Sequence, residues 1–281
     1  MSDRLLIRLA ADSSLSWLAL GADGRALSGS RSGSPPAGAL ATARWVMALV
    51  PGEDVLVLDA PAPTRQRAQL ARAVPFAVED QLAAPVEELH FALASEVEDG
   101  RIGVAVVART TLARWLEILA AGGIRPDVLL PDTLALGAGT VLVESSRALA
   151  RPVRWRAAVV DTPGFADWLG LFGADWPALA VIDTREAPRL ALPVEVAEYR
   201  ERARDPLALL AAGAHAPPLN LLQGEFAPQH RRGGLQRLWR IAAVLAGAVV
   251  ALGLMQLVVE GALLRRESAR LDTAMRDQLM Q

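Results

Sequence analysis

Neither lysine nor cysteine occurs in the 281 residues, so the 29 strongly basic side chains are all arginine. Without lysine there is no Schiff-base amine, and no G-x-x-x-x-G-K-[ST] loop whose lysine reaches nucleotide phosphates. Without cysteine there are no disulfides, no thiolate zinc ligands and no thiol nucleophile. Histidine is scarce too: His90, His215 and His230 lie far apart, and none has a partner at ligand spacing, which argues against a metal site. The formal net charge is only −2, and no basic stripe interleaved with aromatics occurs, which argues against nucleic acid. The opening MSDRLLIRLAADSS lacks the basic start and long apolar stretch of a secretory signal.

What is present is apolar: 52% of the chain, enough for one large or two modest domains with a buried core. The segment IAAVLAGAVVALGLMQLVV, residues 241–259, carries no charge and one amide, Gln256. At helical rise it reaches roughly 28 Å, close to the hydrocarbon thickness of a bilayer. Trp239 stands at its edge, where an interfacial indole is favoured. The segment is expected to span a membrane once. Arg231, Arg232, Arg237 and Arg240 precede it, and Arg265, Arg266, Arg270 and Arg276 follow, so arginine count leaves orientation tied. The lack of a signal breaks the tie in favour of a cytoplasmic N-terminus. Beyond the span, Leu264, Leu271 and Met275 recur at helical spacing, which fits either the start of a coiled coil or a solvated helix.

The first 218 residues read as an α/β head, followed by a tether over 219–240 whose NLLQGEF can pack back on the head, since its apolar residues would otherwise be exposed. RLLIRLA and SWLALGA are expected to pair as strands around a turn at Asp12. ALATARWVMALV has helical periodicity, DVLVLDAP reads as a strand, and residues 64–83 read as a helix with Pro75 as a kink or break. HFALASEV and RIGVAVVA form a hairpin closed by Asp99-Gly100. TTLARWLEILAAGG is a helix with a threonine cap and a terminal glycine, and DPLALLAAG a short helix.

RAAVVDTPGF, residues 156–165, ends an apolar run in D-x-x-G, as the second phosphate-sensing loop of a GTPase does. The lysine-bearing loop such an enzyme needs is missing, so DTPG is read as a type II turn at a hairpin corner. The surrounding WRAAVVDTPGFADWLGL echoes the start of the chain. In both places a strand reaches an aspartate and then Trp-Leu-small-Leu, Trp17 to Leu20 and Trp168 to Leu171. The echo suggests two related α/β halves.

AVPFAVEDQLAAPVEELHFAL, residues 73–93, and LNLLQGEFAP, residues 219–228, resemble the L-type inner-membrane platform protein of bacterial type II secretion systems. The order of head, span and helix is similar too. The resemblance implies a cytoplasmic head with the two-halved fold of actin-like (ribonuclease H-like) ATPases that docks a partner and does not turn over ATP. Asp12-Ser13-Ser14 and Asp161-Thr162-Pro163-Gly164 would occupy the two phosphate corners. It implies no cofactor, and three partners: the cytoplasmic secretion ATPase (E-type), the M-type platform protein and a second L chain. That family continues into a small periplasmic ferredoxin-like domain, for which residues 260–281 supply only a first helix.

Seven carboxylates, Glu79, Asp80, Glu87, Glu88, Glu96, Glu98 and Asp99, lie between Pro75 and Gly100 with no arginine among them. They are a candidate docking surface for a basic partner, or a solvated face. Arg231, Arg232, Arg237 and Arg240 are candidates for anionic lipid headgroups, and Ala246, Gly247 and Gly253 for contacts with other membrane helices. The leading reading is a non-enzymatic scaffold at the bacterial inner membrane. The enzymatic alternative is a membrane-tethered actin-like ATPase or kinase with Asp12 and Asp161 as metal-proximal acids. A type IV pilus platform is a third reading, disfavoured because head and anchor there are usually separate chains.

Overall fold

The computed structural model describes residues 4–173, 176–201 and 205–228. The expected span 241–259, the arginines 231, 232, 237 and 240, and Ala246, Gly247 and Gly253 lie outside the described residues. Among the described residues no helix is long and apolar enough to cross a membrane.

The first sheet starts with an apolar run. β1 (Arg4–Leu9) and β2 (Leu15–Leu20) pair antiparallel about a turn in which the Asp12 carboxylate accepts the Ser14 amide at 2.9 Å. A two-residue β3 (Arg31–Ser32) adds to the edge, and a single helical turn and a half, α1 (Ala37–Thr42), leads to β4 (Trp45–Val50) beside β1. Helical periodicity over residues 39–50 was the expectation. Trp45–Val50 is instead a central parallel strand, buried on both faces, where an unbroken apolar run carries no alternation to betray it.

A small layer is inserted here. β5 (Leu56–Pro61) is followed by α2 (Arg67–Ala77) and the hairpin β6 (Leu89–Glu98) and β7 (Arg101–Ala108), giving the order β5-β7-β6. The hairpin turn is the expected one: Asp99 and Gly100 both have positive φ, 48° and 74°. Pro75 sits inside α2, which ends two residues later. α3 (Arg109–Ala121) returns the chain to the first sheet as β8 (Val128–Pro131) beside β4. The threonine cap expected of α3 is absent. Ala108 is the capping residue, and Thr110 and Thr111 lie in the first turn. Its glycine end is as expected, with Gly123 at φ 72° and the Ile124 amide reaching back to Leu119.

The second sheet repeats the first. β9 (Thr140–Val143), β10 (Arg147–Val153), β11 (Arg156–Asp161), α4 (Phe165–Phe172), β12 (Leu179–Asp183) and β13 (Val196–Arg200) follow in order. Its strand order, β11-β10-β9-β12-β13, matches β3-β2-β1-β4-β8 position for position. In each, the first strand pairs antiparallel with the second and parallel with the fourth. These are the two related halves that an actin-like head implies. α5 (Pro206–Ala214), capped by the Asp205 carboxylate, completes the head, whose compact unit reaches Ala227.

The register of the repeat differs from the expected one. DTPG is no hairpin corner: Thr162–Gly164 form a 3-10 turn between β11 and α4, and Gly164 has φ −90°, so no left-handed residue is needed. Trp168 and Leu171 are helical, while Trp17 and Leu20 are in a strand. The helix wins because Phe165, Trp168, Leu169 and Phe172 recur at helical spacing, with Phe165 and Leu169 fully buried. The true counterpart of Asp12-Ser13-Ser14 is Glu144-Ser145-Ser146, the turn between β9 and β10.

Candidate functional site

The two equivalent turns lie at corresponding positions of the two sheets, each joining a sheet's first strand to its second. In the first, Ser13 takes φ 66° and the Ser14 hydroxyl and amide hold the Asp12 carboxyl below its ordinary pKa. In the second, the Glu144 amide bonds the Arg147 carbonyl, and Thr162 of the DTPG segment donates its hydroxyl to the Glu144 carbonyl at 2.8 Å. DTPG thus braces the second turn from behind.

An ionic network occupies the space between. Arg8, near the end of β1, donates to Glu144 at 2.5 and 2.9 Å and to Asp132 at 3.0 Å. Arg147, opening β10, reaches the same Asp132 oxygen at 2.7 Å, Glu144 at 3.2 Å and Glu53 at 2.7 Å. Asp132 is fully buried, and its second oxygen accepts the Gly52 amide at 3.0 Å. Burial pushes the Asp132 carboxyl upward, against the pull of Arg8 and Arg147. Burial also acts upward on Glu144, but the bonds and charges of the two arginines outweigh it and hold that carboxyl low. Burial works against the Arg8 charge, yet Glu144 and Asp132 raise it above its ordinary value.

Three carboxylates are each held by one or both guanidinium groups, and the two arginines so engaged have their forks turned onto carboxylates and away from an incoming phosphate. Among the described residues, no group of three or more acidic, histidine or cysteine side chains is arranged to hold a metal. Asp12 and Asp161, the acids singled out in the sequence, border this network. Asp12 feels the Arg147 charge, and Asp161 lies across from Arg147 in the β10–β11 ladder. Arg8, Asp132, Glu144, Arg147 and Glu53 were not singled out. The available signal was a charge inside the apolar run of β1 and an aspartate straight after the buried VLLP of β8.

The acidic candidates are all exposed, but they do not form one patch. Glu79 and Asp80 lie in a 3-10 turn after α2, and Glu87 and Glu88 in another just before β6. Glu96, Glu98 and Asp99 lie at the far end of β6, and ten residues of strand put about 30 Å between its ends. Glu98 is paired with Arg154.

NLLQGEF, at the start of the expected tether, packs back on the head as its apolar residues require. Leu219, Leu221 and Leu222 are buried, and the Leu221 amide donates to the Leu129 carbonyl of β8 at 2.8 Å. Asn220 accepts the Leu129 and Leu222 amides and donates to the Asp127 carbonyl. On the other side, His90 of β6 bonds the Leu221 carbonyl at 2.8 Å and meets the Phe226 ring edge-on at 5.1 Å. Glu225 pairs with Arg109. NLLQGEF is therefore a strap joining the edge of the first sheet to the edge of the inserted one.

A family model described as type II secretion system (T2SS), protein L, matches residues 5–229. Curated relatives include the type II secretion system protein L of Pectobacterium carotovorum subsp. carotovorum. It is 30% identical over 258 residues, covering 84% of this chain and 59% of the relative. Another is that of Pseudomonas aeruginosa, 33% identical over 248 residues, covering 84% of this chain and 60% of the relative. The chain thus spans about three fifths of the length of these relatives. Among solved structures, the cytoplasmic domain of EpsL, an inner-membrane component of the type II secretion system of Vibrio cholerae, is similar. Its TM-score is 0.61 at 26% identity, over 79% of this chain and 99% of that one.

Proposed function

Because the chain belongs to the type II secretion system protein L family, we propose that it is an inner-membrane component of that machinery and that its head is a scaffold without catalytic activity. In this reading the head docks the cytoplasmic secretion ATPase to the membrane platform. Residues 241–259 span the inner membrane once with the N-terminus in the cytoplasm. The M-type protein and a second L chain are its neighbours there, and Arg231, Arg232, Arg237 and Arg240 meet anionic lipid.

The observation that carries the non-enzymatic reading is the ionic network in the cleft. Nucleotide would have to displace Arg8 and Arg147 from three carboxylates, leaving buried Asp132 unpaired. The acidic groups support docking by charge, with the two ends of β6 as separate contact surfaces for a basic partner.

The test is a calorimetric titration of the detergent-solubilised chain with the purified secretion ATPase at two salt concentrations, with magnesium-ATP as a parallel titrant. Salt-sensitive binding to the ATPase and no heat from nucleotide is the expected result. Nucleotide binding without ATPase binding overturns the reading and restores the membrane-tethered ATPase with Asp12 and Asp161 as its acids.

A further inference from the structure

The end of the first sheet remote from the ionic network holds a second arrangement of cations, and it has the opposite character. Where β1 and β4 begin, a cavity of about 420 Å³ is lined by Arg4, Ala22, Arg44, Trp45 and His215. Among the described residues no carboxylate lines it. Arg4 and Trp45 are partners in the parallel β1–β4 register, and the Arg4 guanidinium lies over the indole, 5.4 Å from its centre. Its Nη1 donates to His215 Nδ1 at 3.4 Å. Trp45 and His215 therefore hold one face and one corner of Arg4, and neither cancels its charge. Arg44, one residue before β4, is exposed and has no hydrogen-bond or ion-pair partner among the described residues.

We infer that this cavity is a binding site for a phosphate-bearing anion. Two guanidinium groups with no carboxylate partner among the described residues offer planar forks suited to phosphate oxygens, and His215 adds a ring nitrogen. Among the described residues, the carboxylate closest in sequence to the lining, Asp23 beside Ala22, accepts the Arg25 amide at 3.1 Å and lies 3.9 Å from the Arg25 side chain. His215 is seated by a close approach: a Cβ on Gly24, whose φ is 78°, would stand 2.4 Å from its Nδ1. The turn after β2 therefore has to carry glycine for the ring to reach Arg4. The cavity is also large enough for a group of that size, being within the usual range of small-molecule sites. A phosphate can come from a soluble anion or from a lipid headgroup, and the chemistry at the arginines is the same.

The experiment uses the full chain in a zwitterionic detergent, titrated with pyrophosphate by calorimetry. Arg44→Gln is expected to weaken binding by at least about tenfold, the loss of one charge-assisted partner. Arg114→Gln, an exposed arginine elsewhere, is expected to leave binding unchanged. Arg44→Lys keeps the charge without the fork and is expected to fall between. A second arm places wild type and Arg44→Gln in nanodiscs of phosphatidylcholine alone or with phosphatidylglycerol, reading amide exchange at Ala22 and Trp45. Pyrophosphate binding that depends on Arg44 identifies a soluble phosphate anion. Protection by phosphatidylglycerol that depends on Arg44, without pyrophosphate binding, identifies the headgroup. If neither readout changes in Arg44→Gln, or Arg114→Gln weakens pyrophosphate equally, the site is refuted.

Discussion

The Gln223 carboxamide pairs with the main chain of Leu93 in both directions, accepting its amide at 3.2 Å and donating to its carbonyl at 2.8 Å. A side chain here completes the edge of β6, a place another strand would otherwise fill. Arg67 of α2 holds the remaining acceptors, donating to the Leu93 and Ala94 carbonyls and to Gln223 itself.

Gln223→Ala is expected to cost about 1–3 kcal/mol, since it leaves the Leu93 amide without its side-chain partner while Arg67 still holds the carbonyl. The loss is local. Amide exchange at Leu93 and Leu221 should accelerate together, and proteolysis should begin between Leu219 and Phe226 before the sheets open.

Arg8→Ala removes one of two cations from buried Asp132 and two bonds from Glu144. Breaking a buried pair by deleting one partner costs about 3–5 kcal/mol. Urea unfolding of the variant should show that loss. Replacing Arg8 by Met together with Asp132 by Leu should cost less than the sum of the single changes.

Gly213 lies on the face of α5 that meets the turn after β8. A Cβ there would stand 1.9 Å from the Ala135 carbonyl oxygen, which is backbone and cannot rotate away. Gly213→Ala should therefore destabilise by about 1–3 kcal/mol despite alanine's better helix propensity, measured by thermal melting.

The acid limb of stability follows from the carboxyls held low. Glu144 is held by Arg8 and Arg147 against burial, and Asp183 by Arg185 and Tyr199 against burial. A carboxyl with a depressed folded pKa stabilises above its unfolded value, about 4, and that stability is lost as pH falls through the folded value. Urea midpoints should fall steadily as pH drops below about 4.5. Glu144→Gln should be less stable at neutral pH and lose less on acidification. Asp132, pushed upward by burial, runs the other way and softens the limb without reversing it.

Much of the fold was legible where local chemistry decides alone. The alternating and apolar runs of β1, β2, β5, β6 and β7 and the Asp99-Gly100 turn are fixed by near neighbours. Misreadings arose where tertiary context decides. β4 is apolar throughout because both its faces are covered, and helix and strand are then indistinguishable by period. The apparent repeat at Trp17 and Trp168 rests on composition alone, whereas the real one, Asp12-Ser13-Ser14 against Glu144-Ser145-Ser146, is too short to register in a sequence. The ionic network was illegible for another reason. Of its five members, Arg8, Glu53, Asp132, Glu144 and Arg147, only Glu144 and Arg147 are near in sequence, and the rest meet them through the tertiary fold.

That network also joins the two halves of the head. Arg8 belongs to the first sheet, Glu144 and Arg147 to the second, and Asp132 to the chain that passes between them. The two halves are therefore joined twice, by these ion pairs and by an apolar core to which both sheets contribute. The cleft that an actin-like enzyme would open for nucleotide is thus spanned by charge pairs that tie one sheet to the other.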